Sequence, residues 1–253
     1  MTTKNMGQEG FSWWVGIVAD LMDPLKLGRA RVRVYGDHQG LDTEDLPWAI
    51  SLLPITSASS NQIGISPTGM IIGSTVMGMY LDGNEKQKPL ILGTLAQIPD
   101  LDPEKHDVSK LAREQNSIQK TQLGPEPASA YAAKYPDNKV MQSKSGHVIE
   151  IDDTEGQERL HFYHKAGTYT EINKDGRRVD KTEADQITVV KGSYKSYIKG
   201  SADIKYKDKV DVNLNGDLNI TAQQISLNAD IINITCTSFT VNGVDYSTLL
   251  SLA

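Results

Sequence analysis

From Ala202 to Ile220, eight of the ten even positions are apolar, including Ile204, Tyr206, Val210, Val212, Leu214, Leu218 and Ile220, while all nine odd positions are polar. Strand side chains point to opposite faces in turn, so the stretch predicts β structure with one buried and one solvated face. A longer period lies over the alternation. Gly192, Gly200, Asp208 and Gly216 recur every eight residues, and Val190, Ile198, Tyr206 and Leu214 stand two places before them. A unit of this length cannot bury its own apolar face, so the units must stack or associate with copies in other chains. The turns are expected at the glycines, where backbone without Cβ bends sharply. Further on the apolar phase moves to odd positions (Ile225, Leu227, Ala229, Ile231) and back to even ones (Ile232, Ile234, Cys236). A shift of one residue turns every side chain to the other face, so kinks or bulges are expected near Gln224 and Ile231.

One such chain alone would leave an apolar stripe and long unpaired edges, an invitation to aggregate. Winding identical chains about a common axis removes both, and three chains around a narrow apolar core is the expected arrangement. The alternative is an ordinary β-sandwich within one chain. The scarcity of large aromatic residues after Tyr206 suits a thin rod better.

Residues 1–98 carry short β segments separated by turn residues: Trp13–Val18, Arg29–Tyr35, Trp48–Leu53, Gly69–Ile72, Thr75–Leu81 and Leu90–Leu95. Asp82-Gly83-Asn84 predicts a hairpin turn between the last two. Five or six strands in this space predict a small barrel or sandwich. Residues 99–144 hold Pro99, Pro103, Pro125, Pro127 and Pro136 and read as a linker with a possible short helix over Val108–Lys120.

Composition excludes several functions. The longest mild apolar stretch, Met70–Leu81, is broken by Gly73, Ser74, Thr75 and Gly78 and does not predict a membrane span. The polar start of the chain predicts no secretory signal. Cys236 is the single cysteine, so no disulfide or cysteine-based zinc cluster forms within one chain. Net charge is −6 overall, divided as −3 over residues 1–100, +1 over 101–145 and −4 over 146–253. No segment supplies the basic face that nucleic-acid backbones require.

The chain resembles a known family along most of its length: the central spike proteins of contractile-tailed bacteriophage baseplates, related to type VI secretion spikes. The resemblance is carried by Trp14-Val15-Gly16-Ile17-Val18, Met22-Asp23-Pro24-Leu25-Lys26-Leu27-Gly28-Arg29, Arg31-Val32-Arg33-Val34, Thr43-Glu44-Asp45-Leu46-Pro47-Trp48-Ala49, Leu53-Pro54-Ile55-Thr56-Ser57-Ala58 and Pro89-Leu90-Ile91-Leu92-Gly93-Thr94. These are similar to an N-terminal oligosaccharide/oligonucleotide-binding (OB) barrel. Ser145-Gly146-His147-Val148-Ile149-Glu150-Ile151-Asp152-Asp153-Thr154 and Gly167-Thr168-Tyr169-Thr170-Glu171-Ile172 are similar to the opening of the family's trimeric β-helix, and the octads from Val190 to its needle.

The resemblance implies an all-β homotrimer: an OB-fold barrel over 1–98, the linker over 99–144, an intertwined triple-stranded β-helix over 145–238 and a tip over 239–253. It implies a hub protein trimer at the barrel end, transient contact with the host envelope, assembly in the host cytoplasm and residence in the virion tail baseplate. Two features depart from the family. The linker is too short for the lysozyme domain of the best-known relatives, whose paired carboxylates need a rigid cleft, so no muramidase activity is expected. The His-x-His pair that closes some short spikes is missing after Val241-Asn242-Gly243-Val244-Asp245, which predicts either a metal-free apolar tip or a capping protein of the PAAR-repeat type.

Candidate sites read as structural. His161 and His164, three apart on a strand, face opposite sides, and a metal there would need a bend or a three-histidine ring about the axis. Glu150 and Asp152 share a strand face and read as a solvated surface. Gly73-Ser74 and Gly192-Ser193 lack the context of a nucleophile, and no phosphate loop is present. Arg29, Arg31 and Arg33 form a basic strand face, suited to salt bridges or a partner subunit more than to a ligand. We therefore expect no catalytic, cofactor or metal residues and no cofactor. The competing reading is a monomeric OB-fold module that binds glycan or nucleic acid and carries a β-rich tail.

Overall fold

A computed structural model describes residues 10–60, 63, 68–97 and 126–241, and the backbone of 244–245. Five strands close a barrel in the order β1-β2-β3-β5-β4: β1 Ser12–Asp20, β2 Ala30–Val34, β3 Trp48–Ser51, β4 Thr75–Tyr80 and β5 Pro89–Leu95. All pairs are antiparallel except β3 with β5, which runs parallel and closes the wall through Ile50↔Leu90 and Ser51↔Ile91. The alternation in β2 behaves as its sequence predicts: Val32 and Val34 are buried and Arg31 and Arg33 point outward.

The barrel core is Trp14, Val18, Val32, Val34, Val76, Tyr80 and Ile91, with Ala30, Ala49 and Met70. Two glycines make room for it. A Cβ on Gly78 would collide with the Trp14 indole and the Leu90 carbonyl, and one on Gly16 would sit 2.6 Å from the Arg33 carbonyl oxygen. These positions let β1 and β4 approach their neighbours while a large ring fills the interior.

Two local expectations change. Gly69–Ile72 is not a strand: it delivers Met70 to the core and then turns, with the Ile71 amide donating to Ser74 Oγ at 3.0 Å. The link from β4 to β5 is wider than a tight hairpin turn, with a 3-10 turn over Gly83–Glu85 and positive φ at Gly83 and Lys86. Asp82 organises it by accepting from the amides of Gln87 and Lys88.

A second sheet is an antiparallel meander in the order β10-β9-β8-β7-β6, with β6 Asn138–Gln142, β7 Val148–Asp152, β8 Arg159–Tyr163, β9 Tyr169–Ile172 and β10 Arg178–Lys181. Strand β6 lies inside the span read as linker, paired to β7 from Asn138↔Asp152 to Gln142↔Val148. The possible helix over Val108–Lys120 falls outside the described residues.

The octad region behaves differently from both sheets. From Thr182 to Phe239 the chain makes no strand ladder with itself among the described residues, and every residue from 182 to 238 is exposed. The pairing that the alternation predicts is therefore not made within one chain, and no sandwich forms there. The backbone bends at 191–192, 199–200, 207–208 and 215–216, which includes Gly192, Gly200, Asp208 and Gly216, and then at Gln223, Asp230 and Thr237. The bends at Gln223 and Asp230 stand one residue before the two positions where the apolar phase changes. A two-stranded ribbon, β11 Thr240–Val241 with β12 Val244–Asp245, follows.

Candidate functional site

The second sheet buries a mostly polar face, with Val148 and Tyr163 as its apolar members, and exposes an apolar one. Glu150, Asp152, Arg159 and His161 are 0 to 2% exposed, whereas Ile149, Ile151, Leu160 and Phe162 on the same two strands are 39 to 53% exposed. The solvated surface expected for Glu150 and Asp152 is thus corrected. The reason is the segment 126–134, which lies along that face and supplies partners. Ser129 Oγ donates to Glu171 Oε2 at 2.7 Å, the Ala130 amide to Glu171 Oε1 at 2.9 Å, and the Lys134 amide to Thr154 Oγ1 at 2.9 Å.

Arg159 ties the face together. Its Nη2 donates to Glu150 Oε2 at 2.6 Å and its Nη1 to Glu171 Oε2 at 3.1 Å, beneath the Tyr131 ring at 5.1 Å. His161 Nδ1 lies 3.1 Å from Glu150 Oε2 and Asn138 Nδ2 donates to Glu150 Oε1 at 3.0 Å. A carboxylate can only accept, so Nδ1 of His161 carries the hydrogen. Burial pushes the Glu150 carboxyl up, but hydrogen bonds from His161 and Asn138 and the adjacent guanidinium outweigh it and hold it at about 2. Although Arg159 Nε, Asn138 Oδ1 and Asp152 Oδ2 are buried without a partner, the bonds that are made hold the sheet and its covering strap in one geometry.

The histidines separate as expected for residues on opposite faces. His161 is buried against Glu150, and His164 stands on the exposed side with its ring 4.4 Å from that of His147. The partnership with His147 follows from the β7–β8 register, Val148↔Tyr163, which sets the two flanking residues side by side. Among the described residues no group of three or more His, Cys, Asp or Glu side chains is arranged to hold a metal ion. A groove of about 840 Å³ is lined by Met141, Ile149, Phe162, His147 and His164 among others, and it opens on the apolar side.

The arginines of the barrel are occupied by their own chain. Arg29 pairs with Asp23 through Nη2 at 2.7 Å; Arg31 Nη1 donates to the Thr43 carbonyl at 2.9 Å; Arg33 Nη1 donates to the carbonyls of His38 and Leu41 at 3.0 and 2.6 Å. Arg29 and Arg31 also stack on Trp48, 5.5 and 4.7 Å from the ring centre. Asp23 accepts from Arg29 and from the amides of Leu25, Leu27 and Arg29, and the Arg29 contact above all holds its carboxyl well below the usual range. Arg29 and, at 4.0 Å from Asp20, Arg31 thus form salt bridges, while Arg33 is held by backbone carbonyls instead.

The family model described as the Gp5 N-terminal OB domain matches residues 29–187, more than half of the chain. The chain belongs to the Gp5 N-terminal OB domain family. Within it, the chain is 34% identical over 270 aligned positions to "Protein Gp5" of Vibrio phage KVP40, a match covering 79% of this chain and 64% of that one. It is 45% identical over 102 residues to the "Pre-baseplate central spike protein Gp5" of Enterobacteria phage T4, covering 37% of this chain and 18% of that one. The chain spans less than two thirds of the length of either relative. The Gp5 match extends past the barrel to residue 187, through the whole of the second sheet, so the buried Arg159 cluster lies inside the family's matched region.

Proposed function

We propose that the protein is the structural central spike of a contractile-tail baseplate, acting as a homotrimer in which residues 182–238 form an intertwined β-helix; the stretch 145–181, expected to open that helix, pairs instead within its own chain as strands β7–β10. The observation that carries this reading is the run from Gly192 to Thr237, which has no ladder partner among the described residues of its own chain and exposes Ile204 at 73%, Val212 at 70% and Leu218 at 66%. Large side chains left bare at strict intervals need a cover, and identical chains around one axis supply it. The T4 relative's name, pre-baseplate central spike protein, supports the same role.

In this reading the barrel docks on a hub protein trimer and the tip, bare or capped by a PAAR-type protein, meets the host envelope. Sheath contraction drives the spike, and the many interchain backbone hydrogen bonds of the helix carry the load together. The work is mechanical and not enzymatic. Light scattering on the full chain tests it: about 83 kDa, three times 27.8 kDa, is the expected mass, and a particle of 27.8 kDa overturns the proposal. Failure to clear peptidoglycan is expected in a turbidity assay; clearing would overturn the non-enzymatic part.

A further inference from the structure

The bends of the octad region stand eight residues apart up to Gly216 and seven apart from there to Thr237. A spacing of eight returns each rung to the same numbering parity, whereas a spacing of seven inverts it, because strand side chains alternate faces. The sequence follows this change at each bend. Two, four and six places after Gln223 come Ile225, Leu227 and Ala229; after Asp230 come Ile232, Ile234 and Cys236. The same offsets from Gly216 give Leu218, Ile220 and Ala222. The intervening positions are polar apart from Ile231.

We infer that the surface by which copies of this chain pack on one another switches from even to odd residues at Gln223, and back to even at Asp230, so that Ile225, Leu227, Ile232, Ile234 and Cys236 all face the neighbouring copies. The inference rests on the trimeric reading above and assigns the contacts within it. Further copies of the same chain are the fitting occupant, because only they carry the same change from eight to seven at the same place. A different partner with a uniform repeat would fall out of step after one rung. On the polar side, Lys205 pairs with Asp203 and Lys209 with Asp211, each at 2.9 Å along the chain. The apolar offsets are what remains to be covered.

Thiol reactivity in the full-length protein tests this. Cys236 is the single cysteine, so the unaltered chain already reports one inward position. In a Cys236→Ala background, Ile225→Cys adds a second inward position, Ser226→Cys and Thr235→Cys outward ones. Iodoacetamide should modify positions 225 and 236 at least about tenfold more slowly than 226 and 235, since burial suppresses thiolate formation and access. The opposite order at 225 and 226, or fast modification of Cys236 in a particle with the mass of three chains, overturns the switch. A one-chain mass in the same samples overturns the trimeric reading instead, and the unaltered protein keeps the test valid should a variant fail to fold.

Discussion

The Arg159 guanidinium donates to Glu150 at 2.6 Å with both side chains fully shielded from solvent. Two charges removed from water are tolerable only as a pair, so deleting one strands the other. Arg159→Met should destabilise the second sheet by about 3–5 kcal/mol, and the Glu150→Gln, Arg159→Met double variant should recover part of that loss. Urea unfolding followed by far-ultraviolet circular dichroism reads both. An additive double variant would mean the two residues are not energetically coupled.

Acid should weaken the same sheet. Glu150 is held at about 2 from an ordinary value of 4.5, so the folded state binds its proton less readily than the unfolded state does. Its contribution is complete above about pH 4.5 and is lost as the pH falls towards 2. Glu150→Gln should flatten this part of the stability profile. An unchanged acid slope in that variant would assign the effect to other carboxylates, Asp23 first among them.

Gly78→Ala should disrupt the barrel. The added Cβ meets a backbone carbonyl and the Trp14 ring, neither of which can move without displacing the core. A loss of about 1–3 kcal/mol is expected, read by thermal unfolding with tryptophan emission. Unchanged stability would mean that the approach of Leu90 to β4 is looser than described.

Val212→Asp should prevent association. Val212 is 70% exposed in the single chain, so the carboxylate costs nothing there and a great deal once three of them converge. Sedimentation should find one-chain particles in place of trimers. A soluble trimer of this variant would contradict the intertwined helix.

The barrel was legible because its strands alternate in the ordinary sense, as Val32 and Val34 do against Arg31 and Arg33. Gly69–Ile72 misled, since Met70 is apolar for a core that it reaches from a turn, and Asp82-Gly83-Asn84 suggested a tighter link than the one that forms. The second sheet was less legible. Its strands also alternate, but the sequence does not state which face is sealed, and Glu150 and Asp152 beside Ile149 and Ile151 suggest the reverse of what forms. The deciding covering residues, Ser129 and Ala130, bind Glu171 from 42 and 41 residues earlier, in a proline-rich segment whose composition resembles a spacer. Arg159 carried one usable signal: it occupies the same strand face as His161 and Tyr163, the phase that turns inward.

Because each repeat from Gly200 onward restates its apolar offsets from its own bend, none depends on the numbering of the one before it. Rungs can accordingly be duplicated or lost whole, in steps of seven or eight residues, without rephasing the remainder. A single inserted residue within a rung has no such freedom, since it misdirects the rest of that rung. The length of this part of the chain is therefore modular, open to adjustment by repeat number while each unit is locked against slippage.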